Sequence, residues 1–174
     1  MTRTRLPVVL ATVLMTIAVG NAEAGPVQFQ TSGSFIVGGT PIDTNGDGVT
    51  ADLFITSGTS SQVGPFTNQT VAEWSFGAPT TCPSGTVLQG TLVPAGSGFV
   101  SRSNNGDLLF GTLVSGTNCF DGTTAHITAS ANYTGGTGRF TGATGSFTIT
   151  ATATLVAPGG FGSVVAEGNG TLNK

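Results

Sequence analysis

The stretch Phe147-Thr148-Ile149-Thr150-Ala151-Thr152-Ala153-Thr154-Leu155 alternates strictly, with apolar residues at odd positions and threonine at even ones. A side-chain period of two belongs to a β-strand with one packed and one wet face; a helix would scatter both sets around its circumference. Slipping this strand by one residue would bury four threonines, so burial alone sets its register. A second run behaves alike, with Ala125, Ile127, Ala129, Ala131 and Tyr133 alternating against Thr124, His126, Thr128, Ser130 and Asn132. Ala72, Trp74 and Phe76 mark the packed face of an earlier strand, which puts Glu73 on the polar side.

Similar segments recur between turn residues. Strands are expected over Val27–Val37, Val49–Thr56, Pro65–Phe76, Thr86–Val93, Gly98–Arg102, Asp107–Val114, Thr123–Tyr133, Gly145–Val156 and Gly160–Leu172. Helices are disfavoured, because threonine is β-branched and the 28 glycines would each cost about 1 kcal/mol in a helix interior. The expected fold is all-β, an eight-stranded antiparallel β-barrel, since closure removes the edges that invite aggregation; a β-sandwich is the runner-up. An outer-membrane barrel shares the strand pattern. One Trp, one Tyr, threonine-rich outer faces, a cysteine pair and a final lysine argue against it.

Residues 1–24 read as a secretion leader. Arg3 and Arg5 form the basic region, Leu6 to Gly20 the apolar stretch, and Ala22-Glu23-Ala24 the cleavage site. The apolar run is shorter than a bilayer span, so no retained membrane segment is expected, and residues 25–174 form one β-barrel domain. The protein is expected to be secreted, either periplasmic or extracellular. Beyond the leader the basic residues are Arg102, Arg139 and Lys174 against seven acidic ones, which excludes nucleic acid as a partner. Cys82 and Cys119 are an even pair in an exported chain and favour a disulfide. Neither lies in a CxxC motif, and the chain's one histidine is at position 126.

The segment from Tyr133 to Phe147 joins two strong strands through Gly135, Gly136, Gly138, Gly142 and Gly145, as a sharp strand-to-strand corner needs. Phe140 and Phe147 would plug the core on either side of it. No GxxxxGK[ST] order is present, so this is not a phosphate cradle. The run GGTGRFTGATGSFT resembles the signature of the allene oxide cyclase barrel-like proteins, a group that takes in the plant dirigent proteins and many small exported bacterial proteins. The resemblance covers Asp107 to Leu172. It implies an eight-stranded antiparallel barrel, a lumen lined mainly by apolar side chains, and frequent homo-oligomerisation. It does not carry an activity across, because no carboxylate of this chain aligns with the lumen carboxylates of those proteins. Glu73 and Glu167 are the acids nearest a strand interior, and both read as solvated strand residues.

Asp43-Thr44-Asn45-Gly46-Asp47-Gly48-Val49-Thr50-Ala51-Asp52 has metal-loop spacing. Oxygens from Asp43, Asn45 and Asp47 with the Val49 carbonyl match the first half of an EF-hand-type loop, and Asp52, at position 10, could supply the remaining acid only along a different loop path, so calcium is the one cofactor suggested. The twelfth position holds Phe54 instead of the bidentate glutamate, and an Asx-rich hairpin turn accounts for the same residues. His126 reads as a surface strand residue. Asn68, Asn132 and Asn169 begin N-x-Thr triplets, which arise freely in a threonine-rich chain.

No catalytic constellation is visible, so the reading leans away from an enzyme. The function expected first is a non-catalytic exported barrel binding a small apolar ligand or a surface partner. Second comes a cyclase-like or dirigent-like protein that steers a reactive intermediate in an apolar lumen. Third comes a structural or self-associating envelope component.

Overall fold

The computed structural model describes residues 24–37, 49, 51–77, 80–82, 85–157 and 160–174. The expected leader lies, but for Ala24, outside the described residues. Among the described residues nine strands run in chain order: β1 (Gly25–Val37), β2 (Ala51–Ser60), β3 (Gly64–Phe76), β4 (Thr80–Cys82), β5 (Gly85–Ser103), β6 (Leu108–Phe120), β7 (Thr124–Gly136), β8 (Thr144–Ala157) and β9 (Phe161–Asn173). Each pairs with its neighbours antiparallel in the order β3-β2-β1-β9-β8-β7-β6-β5, and β3 pairs in turn with β5. Eight strands therefore close into an antiparallel β-barrel, as the alternation predicts, and β4 rides on β5 as a short outer arm. The first strand hydrogen-bonds to the last, with Gly25 facing Leu172.

Strand β8 shows why the alternation was informative. Phe147 and Ala153 are buried and Ile149, Ala151 and Leu155 pack against the core, while Thr148 and Thr150 are exposed. Phe140 and Phe147 both enter the core, as expected of the corner. Phe76 differs: it shares a face with Ala72 and Trp74 but is 48% exposed, because β3 has by then reached the barrel rim.

The largest departure from the expected strands is in β5. The segments Thr86–Val93 and Gly98–Arg102 are one strand, interrupted by a bulge. Val71 faces Gly98, but Glu73, two residues on, faces Val93, so residues 94–97 are extruded from the ladder. Pro94 cannot donate to a ladder and Gly96 tolerates close approach, which makes the segment a bulge where a turn was expected. The bulge is fastened by Ser97, whose hydroxyl accepts from Glu73 N at 2.9 Å and donates to Val93 O at 2.7 Å.

Glu73 corrects its sequence reading. Its position between the inward-facing Ala72 and Trp74 points it to the outer side of the wall, as alternation predicts. It is nevertheless fully buried, because the bulge folds over it and sets the backbone of Gly96 against its carboxylate. A Cβ at position 96 would occupy the space of that carboxylate. The solvated reading fails because the cover comes from another strand.

The glycine-rich corner closes one end of the barrel. Gly135 and Gly136 complete β7, and the chain reverses through a 3-10 turn at Gly138–Phe140. Gly138 takes a φ of +56° with the Asp107 carboxylate where a Cβ would stand, so both its conformation and its space require glycine. Phe140 is fully buried, and two cations lie over its ring, Arg139 at 4.7 Å and Lys174 at 5.6 Å from the centroid. Arg139 Nη2 donates to Val63 O at 2.6 Å and Lys174 Nζ to Gln62 O at 2.9 Å, which ties the corner and the last residue to the β2–β3 turn.

Cys82 and Cys119 form a disulfide with their Cα atoms 6.0 Å apart, joining β4 to β6 across the intervening β5. The bridge closes a loop of sequence separation 37. Replacing both cysteines with serine should lower unfolding stability by up to about 4 kcal/mol on the chain-entropy model while leaving the strand signal in circular dichroism intact. Urea unfolding of the oxidised and variant proteins checks this; equal midpoints would show that the bridge constrains nothing.

Candidate functional site

Inward-facing side chains leave an unfilled space of about 110 Å³ inside the barrel. Along β3 the cavity runs from Phe66 past Asn68, Thr70 and Ala72 to Trp74. Near Phe66 it meets an aromatic cluster centred on Phe147, which packs edge-on to Phe29 and Phe99, each at 5.4 Å, and lies 4.7 Å from Tyr133. Such edge contacts hold rings in place beyond their burial alone. Towards Trp74 the cavity meets Phe54, stacked at 5.6 Å on Phe35.

The space exists because one side of the barrel carries small side chains. Strands β7, β8 and β9 contribute Ala129, Ala151 and Ala166 to the lining. The facing side is polar. Thr56 on β2, Asn68 on β3 and Ser101 on β5 are successive cross-strand neighbours. Ser101 Oγ donates to Asn68 Oδ1 at 2.9 Å and Asn68 Nδ2 donates to Thr70 Oγ1 at 2.7 Å. Among the described residues the buried Thr56 hydroxyl has no hydrogen-bond partner. Burial pushes the Tyr133 phenol above its ordinary pKa and keeps it neutral. Among the described residues the lining holds no Asp, Glu, Lys, Arg or His.

Both acids near the lumen stand off the cavity. Glu73 is sealed on the outer side under the β5 bulge. Asp52 faces inward on β2, two residues before Phe54, and is buried at the barrel end beside β1 and β3. Desolvation raises its pKa to about 7. The indole N–H of Trp74 works the other way, although it stands outside regular hydrogen-bond geometry. Of the suggested calcium ligands, Asp43, Asn45 and Asp47 lie outside the described residues, and Val49 is half-buried. Among the described residues no three of His, Cys, Asp and Glu come together, so the calcium expectation rests on residue spacing alone.

The outer wall carries a second, shallower depression of about 770 Å³. His126 and Glu167 both border it, with Gln30, Thr59, Thr128 and Thr150, and both are exposed as their strand positions predict. Ile36 and Phe161 face each other elsewhere on that wall and are 42% and 49% exposed.

Sequence reasoning missed the polar row. In the sequence Asn68 begins an N-x-Thr triplet, yet it lines the lumen cavity. Extending the packed face of β3 backwards from Trp74 and Ala72 reaches Thr70, Asn68 and Phe66, so the signal was present in the alternation. Thr56 and Ser101 needed the strand registers as well. Among described residues no helix is long and apolar enough to cross a membrane. No protein-family model matches the chain, and a search of curated proteins finds no similar sequence.

A raised Asp52 pKa has a defined effect on stability. Unfolded, the carboxyl ionises near 3.8; folded, it holds its proton up to about pH 7. Its contribution is therefore complete below about pH 4, falls as pH rises towards 7, and is lost above that. Asp52→Asn should remove this slope and make the protein more stable than the wild type at alkaline pH, by at most about 4 kcal/mol. Thermal unfolding of both proteins across that range tests it; parallel curves would show that Asp52 carries no such penalty.

Proposed function

We propose that this chain is an exported, non-catalytic β-barrel protein that binds a small apolar ligand inside its lumen. The observation that carries the proposal is the cavity of about 110 Å³, walled among the described residues by aromatic and aliphatic side chains with a few polar groups on one side and no charged group. That is the usual make-up of a small-molecule site. Export is supported by the leader-like residues 1–24 and by the Cys82–Cys119 bridge, which suits an oxidising compartment. The closed barrel and the glycine-rich corner at its end agree with the resemblance to the allene oxide cyclase barrel-like proteins, although unrelated proteins also build eight-stranded barrels.

Steering of a reactive intermediate is the weaker reading. It asks for a carboxylate in a roomier space, and pockets for larger ligands run to about 300–1,000 Å³. Asp52 and Glu73 both lie off this cavity. A surface partner would use the outer depression around Glu167, and self-association would use the exposed Ile36 and Phe161.

Trp74 is the chain's one tryptophan and lines the cavity, so it reports on the lumen. Benzene, a compact apolar probe, should change Trp74 fluorescence and raise the melting temperature. Ala129→Leu and Ala151→Leu each fill the cavity and should weaken that response about tenfold or more, a loss of about 1.4 kcal/mol. Circular dichroism would confirm that the barrel persists. A benzene response insensitive to both substitutions would place the ligand outside the lumen and overturn the proposal.

A further inference from the structure

The Thr56 side chain bears on the chemistry that a ligand in the lumen would carry. Thr56 is 7% exposed, lines the cavity, and has a hydroxyl without a hydrogen-bond partner among the described residues. A buried hydroxyl left unpaired destabilises a fold, and valine has nearly the same shape without that penalty. Its surroundings use their own polar groups. Thr31 donates its hydroxyl to Ser57 O at 3.0 Å, and Ser101, Asn68 and Thr70 bond in series. The Thr56 hydroxyl is thus free both to donate and to accept, at the end of a polar row.

Across the barrel the wall is apolar. In the ring of eight strands β7 lies four places from β2, and it presents Ile127 and Ala129 to the cavity. A molecule in the space would rest a hydrocarbon body there and reach Thr56 with one polar atom. Among the described residues no charged side chain lines the cavity to receive an ion. The volume of about 110 Å³ is somewhat below the roughly 150 Å³ of an apolar cavity that holds benzene, which limits the occupant to about six non-hydrogen atoms.

Resting on the lumen as the binding site, we infer that the ligand is a compact neutral molecule with a hydrocarbon body and a single hydroxyl or carbonyl oxygen, which the Thr56 hydroxyl recognises. Specificity then resides in one hydrogen bond, and the rest of the contact is shape and burial.

The test compares cyclopentanol with methylcyclopentane, which match in shape and differ in the oxygen. Affinities come from Trp74 fluorescence of the full chain with its disulfide intact. Thr56→Val should weaken cyclopentanol and tighten methylcyclopentane, moving their affinity ratio by on the order of tenfold against the alcohol. The same substitution should raise the melting temperature of the empty protein, an effect that a merely bonded structural threonine would not give. Thr56→Ser, which keeps the hydroxyl, should hold the ratio on the alcohol's side and serves if the valine variant does not fold. A ratio unmoved by Thr56→Val, with methylcyclopentane still bound, would overturn this inference and leave the lumen proposal standing. Binding of neither probe to the wild type would overturn both.

Discussion

Everything inside this protein depends on the pairing of β3 with β5. Without it the chain would be an open antiparallel sheet with β3 at one edge, and its inward-facing residues would have no opposite wall. The pairing is uneven because residues 94–97 leave the ladder, and that irregularity lets the ring close with Glu73 covered. The Ser97 hydroxyl, bonded to Glu73 N and Val93 O, holds the two strands together where the ladder is broken. Closure and bulge are therefore one feature: a strand as long as β5 bends around a barrel where the bulge re-aims it.

Once the ring is closed, side-chain size decides what the lumen becomes. Aromatic rings from five strands meet around Phe147 and fill one part, and Phe140 with Leu109 and Val27 packs the end beyond. The middle is left short of volume by alanines on β7, β8 and β9. Natural interiors pack densely, so a void with an unpaired hydroxyl beside it is a departure from what stability alone would select. The polar row across from the alanines belongs to the same departure. Together they make a small cavity from residues that no catalytic or binding motif would flag.

The fold was legible where the pattern is local. The threonine alternation of β8 and the apolar alternation of β7 read directly as one-sided strands, and the cysteine pair was legible from its number and setting. The corner glycines were legible as a corner, though Gly135 and Gly136 belong to the strand end and the reversal itself passes through Gly138–Phe140. What could not be read depended on partners distant in sequence. Pro94 and Gly96 look like the break between two strands until β3 is seen pairing on both sides of them. Glu73 looks solvated until a bulge from another strand covers it. Thr56, Asn68 and Ser101 are three unremarkable polar residues until two ladders set them side by side.

The pairing of β1 with β9 bears on how the protein comes into being. Residues 25–37 cannot complete their ladder until residues 161–173 have been made, because Gly25 waits for Leu172 and Ile36 for Phe161. Contacts between such distant segments make closure late and slow. For the exported chain proposed here this timing is useful. A polypeptide exported as an extended thread would be kept from folding early by such a topology, because its barrel could shut only once β9 had followed β1 across.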